Sequence, residues 1–322
     1  MCDDPGLIHS RNRSLMNSQT SSGGQTPVRK FFNVLEIALP KVVLSPTIAC
    51  IFFFVYGFII WTAWLSLTKS RLLPKYEIVG FEQYIKLFES ERWWVAIQNL
   101  FVFGGLFILF CTVFGLLLAI LIDQKIRIEG ALRTIYLYPM ALSFIVTGTA
   151  WKWVLNPDLG LERLVQNMGY AEFTFDWLVN SEMSIYTVVI AGVWQSTGFV
   201  MALFLAGLRG IDDSIIKAAQ VDGASLPRIY LRIIIPSLRP VFFSTMIILS
   251  HIAIKAFDLV MVLTRGGPGY SSDLPATFMY AFSFTRNRLA FGAASAMMMF
   301  ATVMAIIVPY LYSELRRSRR ES

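Results

Sequence analysis

RGIDDSIIKAAQVDGASLPRIYLRIIIPSLR, residues 209–239, is a patterned polar segment between two long apolar runs. Asp212 supplies an N-cap for a short helix, and Gly223 is a typical helix stop. A second short helix is predicted to begin after Ser225, because Pro227 stands in what would be its first turn. From spacing alone, the two helices form either a protruding knob or an amphipathic linker on a membrane surface.

The apolar runs beside this segment recur along the whole chain. Hydrophobic residues make up 56% of the 322 positions and charged residues only 15%, which leaves too little polar surface for a soluble globule. Runs of roughly 20 apolar residues are long enough to cross a bilayer as helices. The sequence therefore predicts an all-α integral membrane protein with six transmembrane helices, at residues 42–67, 95–122, 134–155, 183–208, 237–264 and 289–313.

The charges of the connecting segments predict the orientation of these spans. The two tails and the loops on the same side hold 17 Lys and Arg against 10 Asp and Glu, whereas the opposite loops hold 10 of each. Because positively charged loops stay in the cytoplasm, both termini are predicted to be cytoplasmic. The chain then divides into a polar tail (1–40), a transmembrane domain (41–315) and a short basic tail (316–322).

The segment 209–239 carries a family motif. It resembles the cytoplasmic loop of the binding-protein-dependent ABC permeases, with the pattern E-A-A-x-x-D-G-A, five residues, F-x-x-I-x-L-P, three residues, P. The matching positions are Ala218, Ala219, Asp222, Gly223, Ala224, Tyr230, Ile233, Ile235, Pro236 and Pro240. Lys217 departs from the pattern, because the family usually has Glu there, so the charge at this position is inverted: either the contact with an ATPase is made differently here, or an acidic residue faces Lys217.

The resemblance covers about residues 40–315 and implies the type I ABC importer permease fold. It also implies that the loop docks on an ATPase through Lys217, Ala218, Ala219, Asp222, Gly223 and Ala224. The turn LTRGGPG at 263–269 resembles sugar permeases, and LYPMALSFIVTGTAWKWVLNPDLGLE at 137–162 resembles bacterial glucose/mannose permeases. Glucose or mannose is therefore the expected substrate.

The partners follow from the same resemblance. The sequence contains no G-x-x-x-x-G-K-[ST] segment, so the chain is not expected to be an enzyme, and ATP with Mg²⁺ would bind to partner subunits. A second permease subunit, two ATPase subunits and a periplasmic sugar-binding protein are implied, in the bacterial inner membrane and without nucleic acid. We expect no catalytic, cofactor-binding or metal-ligating residue in this chain.

Polar side chains inside the spans are costly and are therefore candidates for substrate binding. His251, Lys255 and Asp258 in the fifth predicted span are four and three residues apart, which would place them on one helical face. Lys255 and Asp258 could form an intramembrane ion pair between spans, or they could hold sugar hydroxyls, or both.

The fourth predicted span adds a second candidate group, at a depth where related maltose permeases contact substrate. Its members are Trp194, Gln195, Ser196 and Phe199. Aromatic rings stack on sugar faces, while amides and hydroxyls bind sugar hydroxyls. For Trp194 alone, packing against lipid or another helix is an equal alternative.

Two other functions compete with sugar import. One is an ABC permease for a polyol or glycerol phosphate, and the other is an ion-coupled transporter that uses the charges of the fifth span. An anionic substrate would need several convergent cations. Lys255 is the only cation buried in a predicted span, since Lys152 and Arg239 stand at span ends, and Asp258 lies near it, which favours a neutral polyhydroxy substrate. An ion-coupled transporter would have no use for an ATPase-docking loop.

Overall fold

The computed structural model of the protein describes residues 41, 43–71, 73, 75–124 and 128–321, and the predicted tail 1–40 lies outside them. The helices are, in chain order, α1 (Val43–Ser66), α2 (Glu82–Glu89), α3 (Glu91–Asp123), α4 (Glu129–Ala141), α5 (Phe144–Val154), α6 (Leu161–Asn167), α7 (Ser184–Arg209), α8 (Asp213–Val221), α9 (Leu226–Ser237), α10 (Arg239–Ile254), α11 (Asp258–Leu263), α12 (Pro275–Tyr280) and α13 (Leu289–Glu321).

The chain divides into two compact units, Met1–Ile60 and Trp61–Ser322. The described part of the first unit is helical from Val43, with a π-helical turn over Phe52–Tyr56 and almost entirely exposed side chains. The second unit contains the end of α1 and all the other helices.

Among the described residues, four helices are long and apolar enough to cross a membrane, namely α1, α3, α7 and the first part of α13, Leu289–Tyr312. Two further candidate spans are bent pairs, α4 with α5 at 98° and α9 with α10 at 62°. Each of the six predicted spans overlaps one of these elements. The final helix α13 continues to Glu321, so most of the predicted basic tail belongs to that helix.

The third predicted span is not one straight helix, because it breaks between α4 and α5. Leu142 is extended, and the Ser143 hydroxyl caps α5 by accepting a hydrogen bond from the Val146 N–H at 3.3 Å. The Leu142 carbonyl, freed by the break, accepts a hydrogen bond from Gln195 Nε2 at 2.8 Å. A break at membrane depth needs such a partner because lipid offers none.

Small residues let the central helices approach closely. A Cβ added at Gly115 of α3 would lie 2.5 Å from Val200 Cγ1 of α7. A Cβ added at Gly198 of α7 would overlap the Tyr136 carbonyl oxygen of α4. Glycine at both positions therefore permits the close helix packing that replaces hydrophobic driving force in a membrane.

A buried ion pair holds the turn that follows α11. Arg92 Nε at the start of α3 lies 2.6 Å from Asp273 Oδ2, and the Asp273 side chain is only 1% exposed. The Arg92 guanidinium also lies over the Tyr270 ring, 4.2 Å from its centroid. The segment 264–273 is thereby fixed against the start of α3.

Candidate functional site

A cavity of about 230 Å³ with one apolar and one polar side lies among the central helices. The helices α3, α5 and α7 contribute apolar surface, with Phe103, Phe107, Phe144 and Gly192. The polar lining comes from α10, α11 and the segment that joins them: His251, Lys255 and Asp258.

A helix break creates the polar side of this cavity. The helix α10 ends at Ile254, Lys255 follows as its C-cap, and α11 begins only at Asp258. Phe257 has φ −124° and ψ −61°, which is not helical. Irregular backbone at membrane depth is tolerated where it lines a cavity, and broken helices frequently form substrate sites in transporters.

The expectation that His251, Lys255 and Asp258 share one helical face is wrong, because the helix does not continue through them. The three side chains nevertheless line the same cavity. Among the described residues, the ion pairs within 4.0 Å do not include Lys255 with Asp258, so the predicted intramembrane pair is also absent from this structure.

The residues proposed from the fourth predicted span lie elsewhere, and none of them lines the His251 cavity. Trp194 lines a separate apolar cavity of about 880 Å³, and the centroid of its ring lies 5.9 Å from that of the Trp151 ring. Gln195 is bonded to the Leu142 carbonyl. Ser196 is buried, and Phe199 packs against the main apolar core.

The loop between α7 and α10 forms the two predicted short helices. Asp212 caps α8, since its Oδ1 accepts a hydrogen bond from the Ser214 N–H at 2.8 Å, and this bond holds the pKa of the Asp212 carboxyl below its usual value. Gly223 follows α8 with φ +77°, and the Ala224 N–H bonds back to the Ala219 carbonyl at 3.0 Å. This is a Schellman C-cap.

The predicted docking residues divide between the surface and the interior. Lys217, Ala218, Asp222 and Gly223 are at least partly exposed, whereas Ala219 is only 9% exposed and Ala224 is half-buried. Ala219 and Ala224 both pack against the main core. The first four form a surface that a partner can reach, and the other two attach α8 to the spans.

Polar contacts fasten this loop to the ends of two other helices. Arg209 at the end of α7 bonds to Glu129 at 2.5 Å and lies 3.8 Å from Asp123. Gln124 Nε2 donates to the Tyr230 hydroxyl at 3.1 Å. Sequence reasoning missed these residues because the partners are 80 or more positions apart and no local pattern connects them.

Candidate spans, two of them bent, surround a cavity with polar side chains, and a helical loop joins α7 to α10; this is the arrangement of a multi-pass membrane permease. The chain belongs to the family of binding-protein-dependent transport system inner membrane components, which matches residues 111–317. Like its relatives, it is a permease subunit and not an enzyme.

The relatives and the solved structures agree with this assignment. A probable ABC transporter permease of Pyrococcus horikoshii is 37% identical over 88% of this chain and 98% of its own length. A xylose/arabinose import permease of Haloferax volcanii is 38% identical over 76% of this chain and 77% of its own. A bacterial ABC transporter involved in the import of the acidic polysaccharide alginate has the same fold, with a TM-score of 0.77, 22% identity, and coverage of 89% of this chain and 99% of that one. The fold is thus that of a type I ABC importer permease, as predicted.

Proposed function

We propose that this chain is the sugar-translocating permease subunit of an ATP-driven importer, and that the sugar passes through the cavity of His251, Lys255 and Asp258. The observation that carries this proposal is the combination of aromatic rings with polar groups at a broken span. Phenyl rings stack on the apolar faces of a sugar ring, while imidazole, ammonium and carboxylate groups bind its hydroxyls.

The size and charge of the cavity favour a small neutral sugar. About 230 Å³ is below the range of about 300–1,000 Å³ of drug-sized ligand pockets. One cation and one carboxylate line it besides the histidine, so an anionic substrate such as glycerol phosphate would lack convergent cations. A single monosaccharide ring fits these properties better than a longer chain.

Glucose or mannose is our first candidate, from the resemblance of residues 137–162 to permeases for these sugars. Xylose or arabinose is the second candidate, because the relative from Haloferax volcanii that is 38% identical is named for those two sugars.

The partners in this proposal are a second permease subunit, two ATPase subunits that bind ATP and Mg²⁺, and a periplasmic sugar-binding protein. The exposed part of α8 would dock on an ATPase. Arg209 would then transmit the movement of α8 to α4 through its contact with Glu129. Both termini would lie in the cytoplasm of a bacterium, with the protein in its inner membrane.

The test is sugar uptake by the reconstituted assembly, with glucose, mannose, xylose and arabinose as competing substrates. His251→Ala and Asp258→Ala should each raise the sugar concentration needed for half-maximal uptake by about tenfold, since each removes a hydrogen bond to the sugar. Ser250→Ala is the matched control, because its hydroxyl bonds to the Met246 carbonyl of its own helix. Unchanged uptake of every sugar in both cavity variants would contradict the proposed site.

A further inference from the structure

A second polar pocket, of about 390 Å³, lies at the opposite end of the spans from the docking loop. Five basic side chains and one acid surround it: Lys69, Arg71, Lys86, Arg286, Arg288 and Glu89. We call it the basic pocket. Its floor is buried, with Ser70 at 2% exposure and Phe282 at 5%.

Basic residues are concentrated in the basic pocket, although basic and acidic residues are equal in number over the whole face. The loops on this side hold 10 basic and 10 acidic residues in total. Half of those basic residues line the pocket, whereas the loop at 152–182 has five acids and only two basic residues. Lys86 is paired with Glu82, and Glu89 lines the pocket, so Lys69, Arg71, Arg286 and Arg288 carry the excess positive charge that is focused into this concave site.

The short helix α2 indicates that the pocket opens to water and not to lipid. Phe81 just before it, with Ile85 and Phe88 in it, forms an apolar stripe, and these side chains are 71%, 58% and 44% exposed. An amphipathic helix that is not a span lies in the membrane surface with such a stripe in lipid. Lys86 lies on a different side of α2 and lines the pocket, so the pocket faces away from the acyl chains.

The pocket is also held rigidly. The Ala290 N–H at the start of α13 donates to the Ser70 carbonyl at 3.0 Å, and Gln83 Nε2 donates to the Thr68 carbonyl at 3.1 Å. Arg286 donates to the Tyr270 hydroxyl at 3.1 Å and lies over the Phe282 ring. In contrast, the side chains of Arg71 and Arg288 make no hydrogen bond or ion pair with any described residue, and they remain available to a partner.

From this geometry we infer that the basic pocket receives carboxylate side chains from an acidic surface of the periplasmic sugar-binding protein. The inference rests on the proposed function, which supplies that partner and places this face outside. Charge complementarity of this kind steers encounter and fixes the orientation of docking. The turn anchored by Arg92 and Asp273 lies in the chain between α11, whose first residues line the sugar cavity, and the pocket residues from Phe282 onward, so this turn links the two sites.

The test measures binding of sugar-loaded binding protein to the complete assembly in nanodiscs of zwitterionic lipid. Arg71→Gln combined with Arg288→Gln should weaken binding about tenfold at low salt, and the difference from wild type should shrink at high salt. The matched control is Lys75→Gln combined with Arg163→Gln, which removes the same charge from two exposed residues of the same face outside the pocket.

Each outcome has a distinct meaning. Loss of affinity in the pocket variant alone supports the inference. Equal loss in both variants assigns the effect to the overall charge and overturns it. Unchanged affinity in the pocket variant overturns it as well, and loss of thermal stabilisation by phosphatidylglycerol nanodiscs in that variant alone would then identify a lipid site. If wild-type assembly imports no sugar with any binding protein, the proposed function itself has failed.

Discussion

Lys255 and Asp258 lie on opposite sides of one helix break, and this position explains how two charges remain in a span without pairing. Lys255 caps the C-terminal end of α10, and Asp258 lies in the first turn of α11. A helix favours positive charge at its C-terminal end and negative charge at its N-terminal end. Each residue therefore carries a charge of the sign that its own helix end favours.

The absence of a direct pair predicts that the effects of Lys255→Ala and Asp258→Ala on assembly are additive. In a buried ion pair, removal of one partner costs about 3–5 kcal/mol and removal of both costs less. Arg92 and Asp273 form such a pair, so Asp273→Ala should be partly rescued by adding Arg92→Ala. The measurement is the amount of assembled protein after solubilisation and its thermal stability. Rescue of Lys255→Ala by Asp258→Ala would show that the two residues do pair.

Gly198 has a local, steric role in the packing of α7 against α4. Gly198→Ala should destabilise the protein by about 1–3 kcal/mol or more, because the new methyl group collides with the Tyr136 backbone and not with a flexible side chain. Gly105→Ala is the matched control, since a Cβ there meets nothing within 4 Å. Thermal unfolding of both variants in one detergent gives the comparison, and equal melting temperatures would contradict the close contact.

At the scale of elements, local signals predicted the docking loop well. Asp212, Gly223 and Ser225 mark helix ends through their own backbone chemistry, and the structure places helix ends at all three. The breaks at Leu142 and between Ile254 and Asp258 were not predictable in the same way. The break at Leu142 is stabilised by Gln195, which is 53 positions away, and the sequence from His251 to Asp258 has neither Gly nor Pro.

The candidate site residues also divide into two groups, those that line the His251 cavity and those that lie elsewhere. The sequence singled out His251, Lys255 and Asp258 because polar residues are rare in spans. It could not show that Trp194 and Gln195 face other surroundings, because that depends on how α7 is rotated against α3 and α5. The type of side chain was therefore enough to identify candidate residues, whereas the rotation of α7 could be determined only from the structure.

Gly223 offers a test of the docking helix as an element. A Cβ at this position meets nothing within 4 Å in the chain itself, so a side chain added here starts into open space at the surface where a partner would dock. Gly223→Trp should leave the protein inserted, at a cost of about 1–2 kcal/mol for the left-handed backbone, but should abolish sugar-stimulated ATP hydrolysis by the assembly. Gly169→Trp is the control, because Gly169 also has positive φ and open space but lies in another loop. Normal coupling in Gly223→Trp would exclude the docking role.

At the scale of the whole molecule, the two faces differ in charge and in kind of structure. One face carries the loop of α8 and α9 with the Arg209 contacts. The other carries α2, the anchored turn and the basic pocket. The cavity proposed to pass the sugar lies within the spans, at the break between α10 and α11. Binding at one face and ATP hydrolysis beneath the other would both act on this break through connected helices.

The positive-inside rule assigns these faces to the two sides of the membrane, and single cysteines can test the assignment. In a background without Cys2, Cys50 and Cys111, cysteines that replace Thr20 or Ser318 should react with a membrane-impermeant maleimide only after the membrane is opened. Cysteines at Lys75, Glu172 and Thr285 should react in intact cells from which the outer membrane has been removed.

These three outer positions are exposed in the folded chain, so burial cannot prevent their reaction. Ser272 would be a poor reporter, because it is 0% exposed and bonded to Thr264. Even a single inverted position would contradict six crossings, since an even number of spans puts both termini on one side. Inversion of all five would preserve the six spans and reverse their direction. The basic pocket would then face the cytoplasm, and α8 would be unable to reach an ATPase.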